Sequence, residues 1–487
     1  ACRLPGAPST EALGALLASG RDAVTRLHPA DDEAPARLRA DPRYVPAAAL
    51  LDDVAGFDHA FFAMPHAEAS LLDPQHRLAL ELAREALDDA DLAPEVTRGA
   101  VGVFAGADLS QYLALHMLPG LDGPVDPRWA AAVIANDKDY LPAQIAFRLG
   151  LRGPAVGVGA ACATGLAALH LAAQSLLAGE CDAALVGAAS LRLPLRSGYL
   201  AAPDGPFSRD GRTRSYDAAG TGAVYGSGGV VAVLRRAADA AARGERVLAR
   251  VRGTAVYNPG AARAGFAAPT AAGHARVVAE ALAVAGLSPS DVQYVEGNGT
   301  ATPIGDAAEI AGLAEVFGGG ETLLGSVRSA VGHLQAAAGL AGLLAAAWGL
   351  RAGVVPATLH HERPHPALTG TRLVVSARPR SWPAAPRRRA VVSAFGVGGF
   401  HAAVALEEAD PARERPAVAP RAWRRVRCWR DAPTAAAPAR AAAPATLSEL
   451  AATLAAHLAP GAPPPPPDAA LSSLGLDSRG VLEFFAA

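Results

Sequence analysis

The chain has 487 residues, 51% of them hydrophobic and 18% charged, with a formal net charge of −2. This balance excludes a disordered chain and carries no electrostatic footprint for nucleic acid, while the length allows a large core and more than one domain. The four cysteines (Cys2, Cys162, Cys181 and Cys428) are scattered without CxxC pairs. Neither a zinc site nor a disulfide framework is indicated, and a reducing, cytoplasmic setting is expected. Gly, His, Gln or Arg interrupts each Ala-rich apolar run, so no membrane span is expected.

In chain order, Thr10–Ser19 reads as a first helix and Asp73–Ala90 as an amphipathic one carrying Leu78, Leu80, Leu82 and Leu87. A buried strand is predicted at Val101–Ala105, a helix at Asn136–Leu149 and a short strand at Ala155–Gly159. A small-residue turn then leads into an almost wholly apolar helix, Ala163–Ala178, followed by strands at Ala183–Val186 and Gly229–Leu234. The second half repeats the rhythm. Strand Val247–Tyr257, helix Ala271–Ala285, strand Val292–Glu296, helix Asp306–Val316, strand Leu323–Ser326 and helix Gln335–Leu350 precede a hairpin of Arg389–Phe395 with Ala402–Glu407. Two successive halves of alternating strand and helix predict an α/β domain with buried strands.

From Ala409 the chain becomes rich in Pro, Ala and Arg and reads as a linker. For the arginines of WRRVRCWRD, a solvated face and a basic patch for an acidic partner are both open. Thr446–Leu458 is again helical, and a PPPPP run then leads to LSSLGLDSRGVLEF. The chain opens on Ala1 rather than Met and stops at Ala487, so a fragment of a longer polypeptide is expected.

The cysteine of greatest interest is Cys162, at the mouth of the apolar helix. Unpaired N–H groups and the positive end of the helix dipole favour a thiolate there and could hold an oxyanion. A structural core cysteine is the alternative from local features alone. The surrounding GPAVGVGAACATGLAALHLAAQSLLAGECDAAL resembles the active-site segment of polyketide β-ketoacyl synthases. FDHAFFAM, DPQHRLALELAREAL, NDKDYL, SRDGRTRSYDAAGTG, GNGTATPIGDAAEI, GSVRSAVGHLQAAAGLAGL and SAFGVGGFHAAVALEEA recur in that family's order.

The resemblance implies a thiolase fold over residues 1–408, with two halves in five α-β-α-β-α layers, and a homodimer. A linker over 409–445 and an incomplete acyl carrier domain over 446–487 would follow. In the carrier, Ser478 of GLDS would bear phosphopantetheine; a helix N-cap is the plain reading of that serine. WRRVRCWRD resembles the segment with which such linkers pack back on the synthase.

The resemblance also assigns the site. Cys162 would be the nucleophile and His333, in VGHLQ, one of two histidines that hold the thioester oxygen during decarboxylation. The backbone N–H of Phe395 would partner that of Cys162 in an oxyanion hole, and Thr300 and Thr302 would contact the pantetheine arm. The other histidine is missing: Asn298 stands in its place, able to donate a hydrogen bond but with no proton to exchange. Arg328 replaces the family's lysine, Ala330 its following Asn, and Phe400–Ala403 its Thr-Asn-Ala-His stretch.

An intact thiol beside a damaged decarboxylation half resembles the non-elongating ketosynthases, which load an acyl chain on cysteine and pass it to another carrier. Two other readings are a different bond-forming reaction on the tethered chain, such as cyclisation with His333 as base, and a silent dimeric scaffold. His170 and Cys181 read as core residues and His76 and His274 as ordinary helix residues. HHERPH (His360, His361, His365) reads as a turn, so no metal is expected.

Overall fold

The computed structural model describes residues 1–92, 99–410 and 421–431. Five strands build the first sheet: β1 (Cys2–Arg3), β2 (Val101–Ala107), β3 (Ala155–Gly157), β4 (Ala183–Ser190) and β5 (Gly228–Leu234), in the order β1-β5-β4-β2-β3. The β1/β5 and β5/β4 pairs are antiparallel, and the β4/β2 and β2/β3 pairs are parallel. Six strands build the second: β6 (Ala249–Tyr257), β7 (Tyr294–Glu296), β8 (Thr322–Gly325), β9 (Leu373–Val375), β10 (Arg389–Gly396) and β11 (Phe400–Glu408), in the order β6-β11-β10-β7-β8-β9. Each sheet begins on its first strand, crosses to its last two by antiparallel pairs, and returns to its second and third by parallel ones. The duplication expected from the sequence is thus present in the topology.

Strand alternation sorts the side chains into three apolar layers. Val101, Val103, Ala183 and Leu185 face the outer helices α1 (Pro74–Asp89) and α2 (Leu141–Leu149). Phe104, Ala184, Val186, Val392 and Val404 face inward onto α3 (Thr164–Ala178) and α6 (Ala338–Ala352). Val391, Ala403 and Ala405 turn the other way, onto α4 (Ala271–Ala285) and α5 (Pro303–Val316). The result is helices, sheet, helices, sheet, helices: the thiolase architecture.

Local chemistry sets the ends of these elements. Asp73 caps α1, its side chain accepting from Gln75 N at 2.7 Å with Pro74 at the first helical position. The predicted Asn136–Leu149 helix divides, because Asp137 caps a new short turn at Lys138–Tyr140 before α2 begins. Helix α3, apolar almost all the way round, is nevertheless not buried all the way round: Leu171 and Leu177 are exposed, at 42% and 75%. By length and composition Ala161–Ala178 is apolar enough to cross a membrane, contrary to expectation, and 56% of that window is buried in the protein. His76 and His274 lie in α1 and α4, as expected, and both are buried.

The segment 421–431 lies against the body, so the folded unit runs beyond the predicted boundary at 408. Val426 pairs with Phe57, Trp423 packs on Phe61 and Phe62, Trp429 packs on Tyr112, and Cys428 is buried. Arg421 and Arg425 pair with Asp88 and Glu81 of α1 at 2.8 and 2.6 Å. Of the WRRVRCWRD arginines, Arg425 is therefore a clamp, whereas the Arg427 side chain is 67% exposed as on a solvated face.

The two central helices meet through glycine. A Cβ on Gly165 would lie 2.7 Å from Leu340 Cγ, and one on Gly339 would lie 2.8 Å from Leu166 Cγ. Gly165→Val is accordingly expected to cost about 1–3 kcal/mol in urea unfolding. Leu177→Gln on the exposed face of the same helix should change stability by no more than about 0.5 kcal/mol.

Candidate active site

Strand β3 delivers the chain to a sharp bend. Ala161 takes φ +48°, a left-handed conformation that L side chains rarely adopt, and Ala161–Ala163 form one 3-10 turn before α3 starts. Ala160 N donates to Thr164 Oγ1 at 2.9 Å, which holds the bend. Gly396 backs onto it so closely that a Cβ would lie 2.1 Å from Ala160 O. Cys162 is thereby half-buried at the helix mouth, as expected. Its protonation state is not as expected: burial pushes the thiol up to about 11, with the Arg328 charge pulling the other way. The resting sulfur is a thiol, because desolvation of the anion outweighs the nearby cation.

Opposite stands the loop between β7 and α5. The side chain of Asn298 is fixed by its own carbonyl: Oδ1 accepts from Arg328 Nη2 at 2.9 Å and from Phe395 N at 3.1 Å. Two consequences follow. The amide's donor end, Nδ2, is directed away from both partners and remains for a ligand. The N–H of Phe395 is occupied, so it does not serve the oxyanion hole expected of it. An amide side chain brings a carbonyl acceptor to this place, and the strand N–H takes it.

Helix α5 anchors the loop. Glu309 accepts from Asn298 N and Gly299 N at 2.6 and 2.8 Å, and Asp306 accepts from Ala301 N and Tyr216 N at 3.0 and 2.6 Å. These two acids, one helical turn apart in GNGTATPIGDAAEI, are the positioning residues that sequence reasoning missed; their i, i+3 spacing on one helix face was the available signal. Burial pushes Asp306 up to about 8. Thr302 caps α5 through Gly305 N, and its Oγ1 lies 3.2 Å from that of Thr300.

His333 is 1% exposed and leads into α6 as Cys162 leads into α3. Its Nδ1 accepts from Gln335 N at 3.2 Å, which places the ring proton on Nε2. Tyr225 packs edge-on at 4.7 Å between ring centroids. Burial and the Arg328 charge hold the imidazole well below its usual range, so it is a neutral N–H donor. That tautomer offers no basic nitrogen and weighs against the cyclisation reading with His333 as base.

Arg328 is the hub of this arrangement. It is 3% exposed, donates to Asn298 Oδ1 and to Gly297 O (3.3 Å), and its charge acts on Cys162, His333 and Tyr225 together. On the outer side His401 is buried against His274 (4.6 Å) and Phe395 (4.9 Å), while Phe400 is half-buried beside them. Of the HHERPH histidines, His360 pairs with the distant Asp22 at 3.0 Å and His365 caps Pro366–Leu368. His170 bonds Thr254 at 2.8 Å and Cys181 is buried. Ser478 lies outside the described residues.

A cysteine at one central helix mouth, two neutral donors beside it and a buried cation behind them, on a duplicated five-layer fold, define a thiolase-type condensing enzyme. Comparison with known proteins narrows the class. Residues 1–240 match the profile of the beta-ketoacyl synthase N-terminal domain, and residues 248–362 match that of the C-terminal domain. The chain is 41% identical over 428 residues to a phenolphthiocerol/phthiocerol polyketide synthase of Mycobacterium tuberculosis, covering 84% of this chain and 28% of that protein. It is 39% identical to the spectinabilin polyketide synthase system protein NorA of Streptomyces orinoci, covering 85% of this chain and 22% of that protein.

Among solved structures, ketosynthase twelve of the bacillaene synthase of Bacillus amyloliquefaciens superposes with a TM-score of 0.79 at 29% identity, covering 84% of this chain and 74% of that one. The oxazolomycin ketosynthase domain OzmH KS7 of Streptomyces albus JA3453 gives 0.76 at 33%, covering 85% and 75%. The chain belongs to the β-ketoacyl synthase family, and its folded body is a ketosynthase of the modular polyketide synthase type. It spans 28% and 22% of the length of the two curated relatives named above.

The buried imidazoles give the body a signed response to acid. His76 and His333 are held below their usual range by burial, His274 at about 4 and His401 at about 3. Below about pH 6.5 the unfolded chain takes up protons that these rings refuse, so stability falls as pH falls, by about 1.4 kcal/mol per pH unit for each net proton. Asp108, Glu296 and Asp306, pushed up to about 6, 7 and 8, act in the opposite sense and blunt the slope. Urea midpoints at pH 6.5 and 5 should show the lower value at pH 5.

Proposed function

We propose that this domain takes an acyl chain from a carrier-bound pantetheine thioester onto Cys162 and hands it to another carrier, with decarboxylative condensation strongly impaired. The observation that carries this reading is Asn298, a side chain with no exchangeable proton, pinned through Oδ1 to Arg328 and the Phe395 N–H. Acyl transfer needs the thiol and donors for one tetrahedral oxyanion. Condensation also needs charge stabilisation on the malonyl thioester as carbon dioxide leaves, and replacing one good donor there costs about a hundred- to a thousand-fold.

The partners that suit this role are acyl carrier domains, upstream and in the same protein. Phosphopantetheine on Ser478 would be the group carried by the latter, with Thr300 and Thr302 beside the incoming arm. A homodimer suits the exposed edge of the first sheet, where all of Ala155–Gly157 and Phe147 (75%) face outward. A cytoplasmic location is the one that suits its carriers.

Intact-protein mass spectrometry tests the reading. A hexanoyl-pantetheine thioester should add one acyl group, and Cys162→Ala should abolish it. Malonyl-carrier offered to the loaded domain should yield little or no extended product; brisk two-carbon extension overturns the proposal. Asn298→His alone should restore little, because it removes the carbonyl that accepts from Arg328. Asn298→His with Arg328→Lys should restore more than either single change, read as ketoacyl product in the same assay.

A further inference from the structure

Arg192, two residues past β4, is a cation that the transfer chemistry does not use. Its guanidinium lies over the Phe207 ring at 5.5 Å and over the Tyr225 ring at 6.0 Å, measured from Cζ to each centroid. Other arginines of the body are paired: Arg328 donates to two carbonyls, Arg77 donates to one, and Arg3, Arg236 and Arg252 each reach a carboxylate. The Arg192 guanidinium has neither kind of acceptor among the described residues, and only its backbone N–H is engaged, with Ser227 Oγ at 3.1 Å. Stacking covers the faces of a guanidinium and leaves the N–H edge in its plane free to donate. Burial acts against the charge, with no carboxylate among the described residues to offset it. Tyr225 is half-buried, and its hydroxyl likewise has no hydrogen-bond partner among the described residues.

Contacts tie both groups to the site. Tyr225 meets His333 edge-on at 4.7 Å, and the backbones are joined: His333 N donates to Val224 O at 2.7 Å and Gly226 N to His333 O at 3.0 Å. Phe207 touches Tyr225 at 4.9 Å, so the rings make a continuous apolar wall from the cation to His333. The segment that carries Tyr225 also spans the site. At one end Gly222 N donates to Ala301 O at 2.8 Å, between Thr300 and Thr302; at the other Ser227 holds Arg192. An arm that enters beside the two threonines and reacts beside His333 therefore has Arg192 ahead of it, past Tyr225. A wall of rings suits methylenes, and an unpaired cation at its end suits an anion.

We propose that Arg192 and the Tyr225 hydroxyl are specificity-determining residues that hold a carboxylate at the far end of the acyl chain on Cys162, so that the domain prefers ω-carboxyacyl chains to neutral ones. This deepens the acyl-transfer reading above and rests on it. The planar fork of the guanidinium can give a carboxylate two parallel hydrogen bonds, and the phenol can add a third. A methyl terminus at the same place leaves those donors unpaired.

Adipoyl- and hexanoyl-pantetheine, with six acyl carbons each and different termini, test this. Loading of Cys162, followed by intact mass, should favour adipoyl by about 10-fold or more in the unmodified protein. Arg192→Met should bring that ratio to about one, and Arg192→Lys should keep part of it. Tyr225→Phe, which keeps the ring, should lower it about threefold. A variant that is merely less well folded slows both thioesters and leaves the ratio unchanged; that result in Arg192→Met overturns the proposal, as does equal loading by the unmodified protein. The phosphate of the arm is the competing anion. If phosphopantetheine thioesters load faster than pantetheine thioesters by a margin that Arg192→Met removes, Arg192 serves the arm and the proposal is wrong. Loading without preference leaves the transfer reading standing, whereas protein that iodoacetamide alkylates at Cys162 but neither thioester loads refutes that reading and this one together.

Discussion

The site depends on the close crossing of two interior helices. Thr164–Ala178 and Ala338–Ala352 approach until Gly165 receives Leu340 and Gly339 receives Leu166. Only a missing Cβ on each side allows that distance. Each helix is preceded by the loop that carries a functional group, Cys162 on one and His333 on the other. A packing contact deep in the core therefore sets a separation that the chemistry uses, and the two sheets around it make the helices hard to shift.

The second constraint is electrostatic. A guanidinium is buried at Arg328 with no carboxylate within salt-bridge distance among the described residues, its Nε without a partner. Such a charge is costly to desolvate. It is kept by the Asn298 amide carbonyl and by Gly297 O. Asn298 and Arg328 are thus one unit: the amide supplies the acceptor that the cation needs, and the cation aims the amide. Compared with a histidine and a lysine, this pair exchanges proton chemistry for a rigid donor.

Much of this was legible in the residues. Runs such as VGVFA and AALV read as buried strands, and the motif order placed Cys162, Asn298 and His333 in one site. What could not be read was backbone and environment. The left-handed Ala161 is imposed by the contact of Gly396 with Ala160, residues more than two hundred positions apart. The thiol's resting state depends on how much protein surrounds it, which no helix-entrance argument supplies. The Phe395 N–H is taken up because a side-chain carbonyl, Asn298 Oδ1, arrives from the loop between β7 and α5. Asp306 and Glu309 acquire their role only where the loop folds over their helix and its N–H groups reach them. Arg425 of WRRVRCWRD was ambiguous because its partner, Glu81, lies on a helix more than three hundred residues away.

The docked segment 421–431 has a geometric consequence. With Trp423 and Trp429 seated on the aromatic sockets of Phe61, Phe62 and Tyr112, the polypeptide is moored well past Glu408. The radius swept by anything tethered downstream is measured from that mooring and not from the last strand of the second sheet. A shorter leash raises the local concentration of whatever it holds, so loosening the two indoles would dilute any module so held without altering a single atom of the thiol site.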